Sequence, residues 1–252
     1  MTDVKCSVSI PSVDAAEVES FNKSAATWWD PEGESGWLHR YNPVRIGYIR
    51  AAACRQFGRD SKVSDCLRGL RILDIGCGAG VLCEPLAVLG AEVVGTDPAD
   101  RAIEVAIRHA RQSGVDIDYR ATTAETLRKD GETFVVVLAM EVIEHVPDRD
   151  QFLRLCADLV RPHGLVILST LNRTTKSYWQ AIVIGEYILR ILPPGTHQWE
   201  RFVLPEEMEA TLAAEGLRTV DISGVTYSLW HRALQMSRDT AINYILTASR
   251  PA

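Results

Sequence analysis

Apolar runs rich in β-branched residues alternate with segments of helical periodicity from about residue 70 onward. The predicted strands span 71–75, 92–97, 117–120, 134–139, 165–170, 217–222 and 241–248. The predicted helices span 81–89, 99–112, 150–160 and 205–214. Such alternation is typical of an α/β fold with a mostly parallel sheet and helices on both faces. We expect seven strands, the last two forming an antiparallel hairpin.

Two segments rich in aromatic residues lie outside this pattern. Residues 21–48 belong to a predicted N-terminal helical cap, residues 1–68, which precedes the α/β domain, residues 69–252. An inserted helical lid is predicted at about 174–199, and its apolar run ends at Pro193. Two interpretations of the lid stay open: an ordinary buried helix, or a helix that covers an apolar pocket and touches lipid.

Composition narrows the function classes. A chain of 252 residues, 46% hydrophobic, is long enough to bury a core of its own. Its formal net charge of −6 argues against a general nucleic-acid binder. The six cysteines show no C-x-x-C pair, so neither a zinc site nor a disulfide framework is indicated. A cytoplasmic protein is the simplest expectation.

The most informative motif follows the first predicted strand. Gly76, Gly78 and Gly80 read G-x-G-x-G, not the G-x-G-x-x-G of dinucleotide sites. Asp97 ends the second strand, where a carboxylate can take both hydroxyls of a ribose. Asp74 would repel a phosphate but suits an ammonium or sulfonium group. The pattern favours S-adenosylmethionine over a glycine-rich turn without a ligand.

A second cluster follows the fourth predicted strand. Glu141, Glu144 and His145 place two carboxylates and an imidazole within five residues. Ligands of open α/β sheets bind beyond the carboxyl ends of the strands, so this loop is expected to face the cofactor. A helical turn here could hold a divalent cation or supply a general base. The alternative is a set of exposed loop charges, with His145 making a local hydrogen bond.

Several longer blocks carry a resemblance to a known family. They are Trp28–Asp30, Leu38–Arg45, the glycine loop, Met140–Pro147, Ser169–Arg173, Glu186–Arg190 and Gly195–Trp199. With these blocks the chain resembles, over almost its whole length, the ubiquinone-biosynthesis O-methyltransferases, class I S-adenosylmethionine enzymes with a Rossmann-like fold that act on polyprenylated catechols. The glycine loop marks only the superfamily, whereas the Trp-Trp and Gly-Thr-His-Gln-Trp blocks are more specific.

The resemblance implies roles for individual residues. Gly76, Asp97 and Met140 would line the cofactor site, with Arg45 reaching in from the cap. A divalent metal, Mg²⁺ by expectation, would lie at Glu141, Glu144 and His145.

It also implies partners: a polyprenylated phenol or quinol substrate, anionic membrane lipids contacted by the insertion at 176–194, and a ubiquinone-biosynthesis complex. The expected location is the cytoplasmic side of the inner membrane, with peripheral attachment. The mechanism would align the acceptor oxygen with the sulfonium methyl and stabilise the phenolate on a metal. His145 would be a third metal ligand or the base.

Two positions depart from the family pattern. Val135 stands where Asp is usual, and His163-Gly164 replaces a Gly-Gly turn. We expect the first to affect stability rather than chemistry. The second changes a turn that favours positive φ, which His tolerates better than a β-branched residue does. Two other functions stay open: an O-methyltransferase for another small phenolic acceptor, and a non-catalytic subunit that binds the cofactor.

Overall fold

The computed structural model describes residues 13–33, 36–179, 199–228 and 230–252. Its strands are β1 (Arg71–Ile75), β2 (Glu92–Asp97), β3 (Asp118–Ala121), β4 (Phe134–Met140), β5 (Val160–Leu171), β6 (Arg218–Ser228), β7 (Ala233–Ser237) and β8 (Asn243–Ser249). Within these ranges the strands form one sheet in the order β3-β2-β1-β4-β5-β8-β6-β7. The expected α/β fold with a mostly parallel sheet is confirmed, with β7 as an eighth strand.

The helices are α1 (Ala15–Ser24), α2 (Gly36–Gln56), α3 (Cys83–Val88), α4 (Asp100–Ser113), α5 (Ala124–Lys129), α6 (Arg149–Leu159), α7 (Thr175–Ser177) and α8 (Pro205–Ala214). Short 3₁₀ turns span Ala25–Thr27, Ile143–His145 and Trp199–Arg201. As predicted, Gly114 ends α4, with a left-handed φ of 70°. Asp148 is the N-cap of α6, and its side chain accepts a hydrogen bond from the backbone N–H of Gln151.

The sheet separates two hydrophobic clusters. In β4, Val137 and Ala139 face one cluster, while Val136, Leu138 and Met140 face the other. Residues of α6 and α8 cover the first face, and residues of α2, α3 and α4 cover the second. Burial on both faces explains why β4 reads as a continuous apolar run. Each fully buried Leu or Val side chain contributes roughly 1.5–3 kcal/mol.

The parallel strands bring the ends of several elements together. Asp74 pairs with Gly95 of β2 and Leu138 of β4, so β1, β2 and β4 end at the same edge. β5 runs parallel to β4 and ends there as well. This carboxyl edge is where the sequence placed the ligand.

The last strands differ from the prediction. β6 and β8 pair antiparallel, as expected. They do not form a hairpin, because β7 lies between them in the sequence and pairs with the C-terminal half of β6. β8 inserts between β5 and β6 and runs antiparallel to both. Strand β5 is twice as long as predicted, because Val160 already pairs with Phe134 through an irregular register.

The two departures from the family pattern occupy different settings. His163 adopts a φ of 61°, which confirms the expected left-handed backbone at this position, although His163 lies within β5 and not in a turn before it. Val135 is half-buried and packs against the cluster that contains Leu138. Its effect on stability stays a prediction.

The cap and the insertion are described to different extents. Helices α1 and α2 lie within the predicted cap, whereas the boundary at residue 68 stays a prediction. Residues 180–198 lie outside the described residues, and with them the Glu186–Arg190 block and most of the predicted lid helix. In the part of the chain that is described, no helix is both long and apolar enough to cross a membrane.

Candidate functional site

A cavity of about 540 Å³ opens at the carboxyl edge of the sheet. The predicted site residues that line it are Arg45, Asp74, Gly76, Asp97, Met140, Glu141, Glu144 and His145. The structure therefore brings Gly76 of the glycine loop and the Glu-Glu-His cluster to one cavity. Gly78 and Gly80 are not part of this lining.

Protein side chains pack directly against the glycine loop at Gly76 and Gly78. Gly76 and Gly78 have φ values of 71° and 52°, which L side chains rarely adopt. A β-carbon on Gly76 would come 2.6 Å from Cγ2 of Val142, and one on Gly78 would overlap the ring of Trp28. The sequence suggested that the glycines make room for a ligand. At Gly78 they make room for the cap.

The cap holds this loop through two further contacts. Trp29 donates its indole N–H to the carbonyl of Ala79 at 2.9 Å and stacks on the His109 ring, with centroids 3.5 Å apart. Asn42 of α2 donates to the carbonyl of Val81 at 2.7 Å. The aromatic-rich segment at 21–48 is thus part of the wall beside the cofactor loop.

Asp97 is already tied to the backbone around it. Its two carboxylate oxygens accept hydrogen bonds from the N–H groups of Gly78 at 2.9 Å and Ala99 at 2.8 Å. Burial raises the pKa of Asp97, although these two hydrogen bonds oppose the shift. Each carboxylate oxygen can accept a second hydrogen bond, so the group can order the loop and still receive a diol.

Asp74 lies within β1, not in the turn that follows it. Its side chain is only 3% exposed, and the thiol of Cys83 donates to Oδ2 at 3.2 Å. Burial raises the pKa of Asp74 to about 7, against the opposing effects of the Cys83 hydrogen bond and the Arg45 charge. A cation in the cavity would favour the ionised form.

Arg45 supplies positive charge opposite these carboxylates. It is 4% exposed, and its guanidinium lies over the ring of Tyr41, 4.5 Å from the centroid. Nη2 is 3.8 Å from Oε1 of Glu141. Within the described residues, Nε and Nη2 of Arg45 have no hydrogen-bond partner. Buried donors normally find one, so these two atoms are suited to an anionic group of a ligand.

Glu141 follows β4 in a strained conformation. Its φ is 60°, which is uncommon outside glycine. Ser169 of β5 holds it: the backbone N–H of Glu141 donates to the Ser169 carbonyl at 3.0 Å, and the Ser169 hydroxyl donates to Oε1 at 2.7 Å. Non-glycine residues in this conformation concentrate at functional sites.

Glu144 and His145 lie in the 3₁₀ turn after β4. Glu144 is 5% exposed and accepts a hydrogen bond from the Thr170 hydroxyl at 2.9 Å. Burial and the neighbouring Glu141 carboxylate raise its pKa to about 7. Nδ1 of His145 is 3.3 Å from Oε2 of Glu17. Burial lowers the pKa of His145, but the hydrogen bond to Glu17 and the nearby carboxylates outweigh it and the net shift is upward.

The described residues do not support the predicted metal site. Among them, no group of three His, Cys, Asp or Glu side chains is placed to hold a metal ion. The physical reason is that Glu141, Glu144 and His145 turn to different partners, namely Ser169, Thr170 and Glu17. The three side chains share a cavity but not a common centre.

The described ends of the insertion contact each other and the segment between β7 and β8. The indole N–H of Trp199 donates to the Thr174 carbonyl at 3.0 Å, and Lys176 forms an ion pair with Asp239 at 2.7 Å. Tyr178 and Trp179 are exposed, Trp179 by 57%.

Sequence reasoning missed Glu17 and Asn42. Glu17 lies in no quoted motif, and Asn42 lies in the Leu38–Arg45 block without an assigned role; the packing of the cap brings both to the cavity.

Comparisons with known proteins agree with this architecture. A methyltransferase domain family matches residues 73–168. The ubiquinone biosynthesis O-methyltransferase of Brucella anthropi is 53% identical over 241 residues, covering 96% of this chain and 97% of the relative. The protein of that name from Rhizobium etli is 52% identical with the same coverage.

A solved structure gives the same fold. Magnesium protoporphyrin IX methyltransferase from Synechocystis PCC 6803 with bound SAH aligns with a TM-score of 0.60 at 19% identity, over 93% of this chain and 99% of that chain. At this identity the likeness concerns the class I methyltransferase fold alone. The identity to the curated relatives over nearly the whole chain is decisive: the chain belongs to the ubiquinone biosynthesis O-methyltransferase family.

Proposed function

We propose that this chain transfers a methyl group from S-adenosylmethionine to a phenol oxygen of a polyprenylated catechol or demethylubiquinol in ubiquinone biosynthesis. Family membership supports the reaction class and the pathway. The observation that carries the proposal is the single cavity in which Arg45, Asp74 and Asp97 meet Glu144 and His145. One group of side chains suits the methyl donor, and the other suits proton removal from the acceptor.

The buried polar groups fit the donor well. Two nitrogens of Arg45 lack a hydrogen-bond partner among the described residues and suit the carboxylate of the donor's amino-acid end, and Asp74 suits the ammonium. Asp97 has acceptor capacity left for the ribose hydroxyls. Gly76 and Met140 line the same space. When bound, S-adenosylmethionine supplies a methyl group on a sulfonium, which is a good leaving group.

The remaining task of the protein is to orient the acceptor and remove its proton. A phenol is mostly protonated at neutral pH, so a base beside the oxygen accelerates transfer. His145 is our candidate for this base. Glu141 and Glu144, held by Ser169 and Thr170, place negative charge beside the imidazole and stabilise its protonated form.

Metal dependence stays a prediction, and no step above relies on it. The donor set fits a metal poorly as the described side chains stand. Exhaustive chelation provides the test. Full activity of the chelated enzyme would leave His145 as a base that acts without a metal, whereas loss of activity that Mg²⁺ restores would return Glu141, Glu144 and His145 to the role of ligands.

Membrane contact through the insertion is a further part of the proposal. Exposed Tyr178 and Trp179 are residues of the kind that settle at membrane interfaces. Lys176 pairs with Asp239 at 2.7 Å, so we do not assign it to lipid. The test is Ile184→Glu with Ile188→Glu, two positions outside the described residues. Sedimentation with anionic vesicles should fall while cofactor binding persists. Undiminished sedimentation would leave the insertion as a pocket lid or a core helix.

The central experiment measures methyl transfer to a short-chain prenylated catechol, with a non-prenylated catechol in parallel. Strong preference for the prenylated acceptor is the expected result. Equal rates would favour the alternative of another small phenolic acceptor. Cofactor binding without transfer to either compound would favour a non-catalytic subunit. Inner-membrane attachment and membership of a biosynthetic complex stay predictions.

A further inference from the structure

A carboxylate from the cap reaches the candidate base. Glu17 lies on α1, and its Oε2 is 3.3 Å from Nδ1 of His145. Phe21, one turn further along α1, packs edge-on against the imidazole, with ring centroids 5.5 Å apart and an interplanar angle of 83°. One face of α1 therefore sets both the position and the tilt of this ring.

Glu17 is itself held from two sides. Its other oxygen, Oε1, is 3.5 Å from Nη1 of Arg201, in the 3₁₀ turn that follows the insertion. Nη2 of the same arginine is 3.9 Å from Oδ2 of Asp14. α1 is fixed in turn by packing of Val18 and Phe21 against the start of α4. The carboxylate thus connects the cap, the loop after β4 and the end of the insertion.

The chemistry of the pair determines which ring nitrogen is free. A carboxylate accepts hydrogen bonds and donates none, so Nδ1 must carry the ring proton where it faces Glu17. In the neutral ring Nε2 is then the acceptor. We propose that Glu17 is a positioning residue that selects the Nδ1-protonated form of His145 and leaves Nε2 to take the phenol proton.

This role rests on the proposed function, and its proton balance is simple. The phenol proton passes to Nε2 while the oxygen forms its bond to the methyl carbon. The electron pair of the broken carbon–sulfur bond stays on sulfur. The resulting imidazolium keeps its Nδ1–H directed at Glu17, so the pair needs no rearrangement during transfer.

Three variants test the proposal kinetically. Glu17→Ala removes the acceptor, and Glu17→Gln keeps an acceptor oxygen but not the charge. Glu19→Ala is the matched control, because Glu19 lies on the same helix and pairs only with exposed Lys23 at 3.7 Å among the described residues. Since general acid–base catalysis contributes roughly 10²–10⁴-fold, we expect Glu17→Ala to lower kcat about 10- to 100-fold. Glu17→Gln should fall between Glu17→Ala and wild type.

The affinity for S-adenosylmethionine and the KM for the acceptor should change little in these variants, and Glu19→Ala should behave like wild type. A kcat of Glu17→Ala equal to that of wild type would refute the role of Glu17 and leave the proposed function intact. Wild type that transfers no methyl group would instead refute the proposed function.

A spectroscopic measurement does not depend on activity or on the stability of Glu17 variants. ¹⁵N spectra of histidine-labelled wild type, recorded above the pKa of His145, distinguish the two neutral ring forms. The His145 signal is identified by its absence in His145→Gln. We expect protonated Nδ1 and unprotonated Nε2. The opposite form in wild type would overturn the proposal.

Discussion

Asp74 gives the sharpest test of how the cofactor site and the fold are coupled. A free aspartate has a pKa near 3.9, and burial raises that of Asp74 to about 7. Because the folded protein favours the protonated form, the stability that this group contributes is complete below about pH 4. It is lost as the pH rises through 7. At 1.36 kcal/mol per pH unit, the loss between these limits is about 4 kcal/mol.

The perturbation is Asp74→Asn, which keeps the shape and removes the charge. At pH 8 we expect the variant without cofactor to unfold at a temperature about 10 °C above wild type, and near pH 4 the two should converge. Affinity for S-adenosylmethionine should fall at least about tenfold, because a charged hydrogen-bond partner of the ammonium is lost. Thermal unfolding between pH 4 and 8 and calorimetric titration measure the two effects.

The control is Asp116→Asn, an exposed aspartate between α4 and β3. It should change neither the slope of stability with pH nor the affinity. If Asp74→Asn is no more stable than wild type at pH 8, the folded chain does not disfavour the ionised carboxylate of Asp74. If it binds S-adenosylmethionine as wild type does, Asp74 does not meet the ammonium.

Three further outcomes follow from the same cavity. Asp97→Ala should weaken S-adenosylmethionine binding by on the order of 2–4 kcal/mol in calorimetry without unfolding the chain, and unchanged affinity would contradict the role of Asp97. Gly78→Ala forces a β-carbon into the ring of Trp28, so cofactor affinity should fall. Adding Trp28→Gly should recover part of this affinity. If the double variant instead loses the sum of the two single losses of affinity, the contact between Gly78 and Trp28 is not what couples them. Glu144→Gln should lower turnover and leave cofactor affinity nearly intact, which comparison of kcat with the dissociation constant checks.

The interior of the sheet was predictable because its strands are buried on both faces. The bounds predicted for β1 and β2 agree with the structure, since 71–75 and 92–97 each contain adjacent buried aliphatic residues and lie between polar or glycine-containing segments. The left-handed backbone at His163 was also predictable, because the requirement for positive φ is a local property of the backbone. Local sequence patterns are enough to predict an element where the same hydrophobic period and the same degree of burial continue along its length.

The prediction was wrong where partners come from far along the chain. β7 is partly exposed along its length and is fixed mainly by its pairing with β6, so its own sequence shows no strong apolar run. The start of β5 contains Pro162, His163 and Gly164, which read as a turn although Val160 pairs with Phe134. The contact of Glu17 with His145 joins residues 128 positions apart, and no spacing rule signals it.

The cap explains why the two halves of the site belong together. Trp28 closes the backbone of the glycine loop at Gly78, and four residues earlier along the same segment Ser24 accepts the hydrogen bond of the Trp28 indole. Phe21 contacts both Trp28 and His145, with ring centroids 6.1 and 5.5 Å away. A displacement of α1 would therefore disturb the cofactor loop and the candidate base at the same time. Both must be in place before an acceptor oxygen can react. A cap that contacts both therefore positions the base only when the cofactor loop is in place as well.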